Sequence, residues 1–141
     1  MYLFLQQLWI TGGFPDSKLS TEIVTETGAS ISQRLEHEMY WHCSAPINNT
    51  HVILMGGRES GFKTYIYNLN DFYQYHYGPD LSVERKGCAG TQIIHPNGTT
   101  FIIIVGPSDT SEILNTDGIF GEWLKGEIFM NLVQFKSNFD F

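Results

Sequence analysis

The stretch His51-Val52-Ile53-Leu54-Met55-Gly56-Gly57 decides the fold of this chain, because it is a continuous apolar run that ends on two glycines. The pattern occurs twice more. Leu8–Thr11 leads into Gly12-Gly13, and residues 101–105 lead into Gly106-Pro107, where proline replaces the second glycine. The first glycines are 44 residues apart (12 to 56) and then 50 residues apart (56 to 106). A period of this size is typical of repeat proteins, so the sequence predicts a repeat architecture.

The middle repeat predicts four strands. Residues 41–47 alternate loosely between apolar and polar side chains, and Asn48-Asn49-Thr50 supplies a turn into the apolar run. After the glycines, residues 63–69 and 72–77 are rich in the β-branched and aromatic residues that strands favour. The middle repeat therefore has the composition of one small antiparallel sheet.

The other two repeats follow the same order less completely. The third repeat predicts strands over 86–94, 99–105, 111–115 and 120–124. The first repeat is partial and predicts strands over 8–11, 21–25 and part of 29–34. Four short antiparallel strands per repeat form one blade of a β-propeller, and stacking buries the two apolar faces that a single blade exposes.

The expected fold class is all-β: a partial propeller of four-stranded antiparallel blades. We expect a partial blade over 1–34, a blade over 38–79, a blade over 85–126 and an unassigned tail over 127–141. Propellers close with about 4–8 blades. With two to three blades, the chain is interpreted as a piece of a larger propeller.

At this point the chain resembles the kelch-repeat family over roughly residues 8–126. The resemblance rests on the Gly-Gly doublets, on an aromatic residue about 15 positions later (Phe72, Trp123), and on a Gly-Pro…Leu…Arg linker between repeats. The residues that match the repeat motif are Gly12, Gly13, Gly56, Gly57, Gly106, Gly78, Pro79, Arg85 and Trp123. The proline at 107 and the phenylalanine in place of tryptophan at 72 depart from the family pattern. The resemblance implies a kelch-type propeller.

Charge and composition exclude several partners. The formal net charge is −7, which disfavours nucleic acid and anionic membranes, and no apolar run approaches the ~20 residues that span a bilayer. Propellers usually bind through loops held on a rigid scaffold. The leading hypothesis is therefore a protein-interaction module that binds an unidentified protein partner, with candidate contact residues Arg58, Glu59, Phe62, Glu84 and Arg85.

No catalytic constellation is evident in the sequence. The five histidines show no helical i, i+4 pairing and no cysteine at zinc-ligand spacing. We therefore expect no enzyme activity, no metal and no cofactor. The alternatives are a fragment of a galactose-oxidase-like copper enzyme, whose tyrosine and histidine ligands would come from several blades, and a truncated chain without function.

The two cysteines, Cys43 and Cys88, are 45 residues apart, which is the repeat period. Equivalent positions in blades that fan apart are expected to be too distant for a bridge, so the sequence predicts two buried, unbonded thiols. Free thiols favour a cytoplasmic location. Two Asn-x-Thr sequons, at Asn48 and Asn97, leave secretion open, although asparagine in both places also suits a turn.

Overall fold

A computed structural model of the 141-residue chain describes residues 8–12, 20–31, 35, 37–58, 61–107, 110–116 and 124–127. The chain divides into two compact units, Met1–Tyr40 and Trp41–Phe141, and each is described by itself. Gly13, Glu59, Trp123 and the tail beyond residue 127 lie outside the described residues.

The first unit contains one three-stranded antiparallel sheet, sheet 1. Its strands are β1 (Leu8–Thr11), β2 (Thr21–Thr25) and β3 (Gly28–Ile31), paired in the order β1-β2-β3. A tight turn joins β2 to β3, because Gly28 adopts a φ of +140° and the Thr25 hydroxyl donates a hydrogen bond to the Gly28 carbonyl at 3.2 Å. The strand expected somewhere within 29–34 is thus β3.

Sheet 2 is the first of two four-stranded sheets in the second unit. Its strands are β4 (His42–Pro46), β5 (His51–Gly56), β6 (Thr64–Asn68) and β7 (Asp71–Tyr77), paired in sequence order. Every described position of β5 after His51 is buried, as the unbroken apolar run predicts for a strand covered on both faces.

Sheet 3 repeats this arrangement. Its strands are β8 (Ala89–Ile94), β9 (Thr100–Val105), β10 (Thr110–Asn115) and β11 (Leu124–Glu127). Two differences from the sequence prediction concern its first and last strands. The first begins at Ala89 and not at residue 86, because residues 78–88 form the link from sheet 2, and the last lies over Leu124–Glu127 and not over 120–124.

A shared apolar core joins sheets 2 and 3. It includes Cys43, Ala45, Ile47, Ile53, Met55, Ile66, Leu81, Ile102, Ile104 and Leu114. Gly90 on β8 lets the sheets approach closely, since a Cβ there would lie 2.6 Å from the Met55 methyl carbon and 3.1 Å from the Ser44 carbonyl oxygen. The two repeats are therefore packed face to face around alternate residues of their strands.

The all-β, antiparallel expectation is confirmed. The described residues form eleven strands, and the assignment of their sheets to a kelch-type propeller stays a prediction. No helix in the described part of the chain is long and apolar enough to cross a membrane.

Candidate functional site

Sheets 2 and 3 each have two ends that differ in chemistry. At one end β4 begins opposite the end of β5, with His42 paired to Gly56, and β8 begins opposite the end of β9, with Ala89 paired to Val105. We call this the disulfide end; its described residues include 41–43, 56–58, 61–64, 77–89, 105–107 and 110–112. The opposite end, the hairpin end, comprises residues 46–52, 68–71 and 94–100.

A disulfide joins Cys43 to Cys88. The prediction of unbonded thiols was wrong. The first strands of sheets 2 and 3, β4 and β8, lie against each other, and they bring the two Cα atoms to 5.4 Å, within the range that a disulfide requires. Both sulfurs lie near the Met55 carbonyl oxygen, at 3.6 and 3.7 Å, at the edge of the shared core. Equal spacing in the repeat thus brought the cysteines together and did not separate them.

The link between the sheets is held by backbone hydrogen bonds to the glycine loop of sheet 2. The Gly57 N–H donates to the Arg85 carbonyl at 2.8 Å, and the Arg85 N–H donates to the Gly61 carbonyl at 3.0 Å. Gly56 has a φ of +67°, and a Cβ at this position would collide with the Arg85 carbonyl oxygen. The Gly-Gly doublet is therefore required where the link passes over the end of β5.

Arg85 and Glu112 form a fully buried ion pair, with both side chains 0% exposed. The Arg85 guanidinium donates to Glu112 Oε1 through Nε at 3.2 Å and through Nη2 at 3.1 Å. Its Nη1 donates to the carbonyl oxygens of Gly106 and Thr110, each at 2.9 Å. Glu112 also accepts from the backbone N–H groups of Ser82 at 2.9 Å and Val83 at 3.3 Å.

The burial of Arg85 changes its assignment. It was expected both as a repeat-motif residue and as a contact residue on a surface loop, but the structure places its side chain wholly inside. Burying a charge costs less free energy when its hydrogen-bonding groups all have partners, and this network provides partners for the Arg85 guanidinium. Arg85 therefore connects the link to the end of β9 and the start of β10, out of reach of any partner.

Aromatic and charged side chains are exposed at the disulfide end. Trp41 is 56% exposed and Phe62 is 48% exposed, and the Arg58 guanidinium lies 5.7 Å from the centre of the Trp41 ring. Trp41 also adopts a φ of 57°, which is uncommon for a residue other than glycine. Its carbonyl accepts a hydrogen bond from the Gly87 N–H at 2.7 Å, so the link holds it there.

Two surface ion pairs flank these aromatics. Lys63 Nζ lies 2.6 Å from Asp80 Oδ2, and Lys86 Nζ lies 2.9 Å from Glu84 Oε1. The hydrogen bond that the Lys63 ammonium donates to the Asp80 carboxylate raises the pKa of Lys63. Four of the five candidate contact residues, Arg58, Phe62, Glu84 and Arg85, lie at this end, and Glu59 falls outside the described residues.

Tyrosines pack along the outer strands of sheet 2. The ring centres of Tyr65 and Tyr77 are 5.6 Å apart, those of Tyr67 and Tyr75 are 5.5 Å apart, and those of Tyr75 and Tyr77 are 5.8 Å apart. Alternation on neighbouring strands places them on one sheet face, as cross-strand pairing predicts.

The described residues contain no cluster of histidine, cysteine and carboxylate metal ligands. Among them, no three His, Cys, Asp or Glu side chains are grouped so that they could hold an ion. His42 is next to Cys43, but burial lowers its pKa to about 4, so the imidazole is neutral at pH 7. Cys43 and Cys88 are bonded to each other and supply no thiolate.

No protein-family model matches the chain, and no curated protein matches it. Among solved structures, the chain is similar to a novel fungal alcohol oxidase of the AA5 family, which was solved in complex with copper. The TM-score is 0.56 at 16% identity, over 86% of this chain and 28% of the oxidase. At this identity the similarity shows the fold alone, and the chain spans little more than a quarter of the oxidase.

This similarity corrects one expectation. The sequence was interpreted as that of a non-enzyme, and that exclusion was wrong, because the chain has the fold of part of a copper alcohol oxidase.

Two residues of the disulfide end escaped the sequence analysis. Glu112 lies on β10, Thr110-Ser111-Glu112-Ile113-Leu114-Asn115, where polar residues outnumber apolar ones, so nothing in the sequence marks its carboxylate as buried. Trp41 was assigned to a strand, and the sequence contains no signal for its positive φ.

Proposed function

We propose that this chain is a segment of a kelch-type β-propeller in a larger, galactose-oxidase-like copper enzyme that oxidises an alcohol. The observation that carries the proposal is the similarity of 86% of the chain to part of the AA5 alcohol oxidase. The repeat motifs favour the same architecture, because Gly12, Gly56 and Gly106 each stand at the end of an apolar strand of a different antiparallel sheet and each has a positive φ.

In this proposal the segment is scaffold. Sheets 2 and 3 are two successive blades, and β4 and β8 are their inner strands, tied by the disulfide at one end. The buried Arg85–Glu112 pair fixes the link on the same end. Loops on a scaffold of this rigidity can hold groups in place that come from distant segments.

The alcohol substrate is taken from the similar AA5 alcohol oxidase, and no residue of this chain indicates it. No three His, Cys, Asp or Glu side chains of the described residues form a metal cluster, so in this proposal ligands from other segments of the protein complete the copper site. The disulfide end is the better candidate to face a substrate, because it carries the exposed Trp41 with Arg58 beside it.

The test is to obtain the complete transcript and to purify the full protein that it encodes. We expect a longer polypeptide with further Gly-Gly repeats, stoichiometric copper by elemental analysis, and copper-dependent conversion of primary alcohols to aldehydes. A mature protein that ends at residue 141, is monomeric and gains no activity with copper would overturn the proposal. A longer propeller without bound copper would overturn the enzyme assignment while leaving the propeller assignment in place.

A further inference from the structure

The hairpin end carries two equivalent Asn-x-Thr turns. Asn48-Asn49-Thr50 lies in the β4–β5 hairpin and Asn97-Gly98-Thr99 in the β8–β9 hairpin, 49 residues apart (48 to 97). Both asparagines are exposed. Each sequon therefore sits at the tip of the first hairpin of its sheet, on the end opposite the disulfide.

The two turns share a local geometry. Asn48 Oδ1 accepts hydrogen bonds from the Thr50 N–H at 2.8 Å and from the Thr50 hydroxyl at 3.0 Å. Asn97 Oδ1 accepts from the Thr99 N–H at 2.9 Å. In both turns the side-chain carbonyl oxygen is engaged by the threonine two residues later. The tips project beyond the last paired residues of their strands, Pro46↔Val52 and Ile94↔Thr100, so a bulky group there displaces no strand pairing.

The disulfide supplies an independent reason to consider the secretory route. Structural disulfides form and persist in oxidising compartments and are rare in the cytosol. Cys43 and Cys88 are bonded at the edge of the core, and the described part of the chain contains no free cysteine. One ground for the expected cytoplasmic location, the free thiols, is thereby removed.

We propose that Asn48 and Asn97 are both N-glycosylated, so that the hairpin end carries two glycans and the disulfide end is left for substrate or partner. The co-reactant is a polyprenyl-diphosphate-linked oligosaccharide. The asparagine Nδ2 loses a proton and bonds to the anomeric carbon as the bond from that carbon to the diphosphate oxygen breaks. The lipid diphosphate leaves, and no group is oxidised or reduced. This inference does not rest on the proposed enzyme function.

The test is translation of residues 1–141, preceded by a cleavable signal peptide, in the presence of microsomes. Modification there precedes folding, so a variant that folds poorly still reports on its sequon. We expect two endoglycosidase-sensitive glycans on the wild type, one on Thr50→Val, one on Thr99→Val and none on the double variant. Matched controls are Thr50→Ser, which keeps the sequon, and Asn49→Gln, which changes the neighbouring amide; both should carry two glycans.

Secreted, folded protein gives the second measurement. We expect a peptide N-glycosidase, which hydrolyses the side-chain amide of the glycosylated asparagine, to remove both glycans without denaturant, since the hairpin tips are exposed. Peptide mapping should then show aspartate at 48 and 97. An unmodified wild type beside a modified reporter in the same microsomes would overturn the proposal. So would a single modified site, because the proposal requires a glycan on both hairpin tips.

Discussion

The two ends of sheets 2 and 3 solve the same problem, reversing the chain between strands, by different means. At the hairpin end the turns are local: Asn48 and Asn97 accept hydrogen bonds from residues two or three positions later. At the disulfide end the ties are between distant residues, 45 positions apart for the disulfide and 27 for the ion pair. The difference arises because the chain crosses from one sheet to the next only at the disulfide end.

This contrast predicts which of the two ends contributes more to the stability of the fold. A local turn costs little entropy to form and contributes little when it is removed. A tie between distant residues restricts the unfolded chain or leaves a buried group unsatisfied when it is broken. Substitutions at the disulfide end should therefore be much more damaging than matched substitutions at the hairpin end.

The largest effect is expected from breaking the buried ion pair. Arg85→Met leaves the Glu112 carboxylate buried without its partner and should lower the free energy of unfolding by about 4 kcal/mol. Urea denaturation measures this. Lys86→Met is the matched control, because the neighbouring lysine pairs with Glu84 at the surface. If Arg85→Met costs no more than Lys86→Met, the network does not hold the link. The double variant Arg85→Met/Glu112→Leu should recover part of the loss.

Removal of the disulfide comes next. Cys43→Ser/Cys88→Ser opens a loop of 45 residues and should cost about 3–4 kcal/mol, chiefly because the unfolded chain gains freedom. Thermal unfolding with and without dithiothreitol gives an internal control, since the reductant should destabilise the wild type and leave the variant unchanged. An equal response of both proteins to dithiothreitol would show that no disulfide contributes.

Acid should weaken the disulfide end through His42. Burial lowers the pKa of His42 to about 4, below its ordinary value of 6.5, so between these pH values the unfolded chain binds more protons than the native one. Stability is then lost as pH falls from 6.5 to 4, by about 3 kcal/mol at most. Unfolding midpoints across this window should fall less steeply for His42→Gln than for the exposed-site control His76→Gln. Parallel profiles for the two variants would contradict the assignment.

The smallest effects compare one glycine at each end. Gly56→Ala combines a φ of +67° with a collision against the Arg85 carbonyl oxygen, and should cost about 2–3 kcal/mol. Gly98→Ala, in the β8–β9 hairpin, has a φ of +91° but nothing within 4 Å of its added carbon, and should cost about 1 kcal/mol. Thermal unfolding of both variants measures the difference. Equal losses would mean that the approach of the link to Gly56 is not a constraint.

Sequence alone determined the local features of this protein. The apolar run of β5, the turn at Asn48 and the glycine at 56 each express a preference that acts within a few residues, and each was predictable. The start of β8 was predicted wrongly, because residues 86–88 belong to the link, where Gly87 has a φ of +74° and its N–H donates to the Trp41 carbonyl. Local preferences cannot show where a segment bonds to a distant part of the chain and does not join the adjacent strand.

Tertiary structure alone decided which residues meet. The spacing of Cys43 and Cys88 was visible, but whether equivalent positions converge or diverge depends on which strand of each sheet they occupy and how the inner strands pack. Arg85 was visible as a motif residue, yet only the fold brings Glu112 to it and removes both from water. Contacts across 27 and 45 residues depend on the packing of whole sheets, and no local preference encodes that packing.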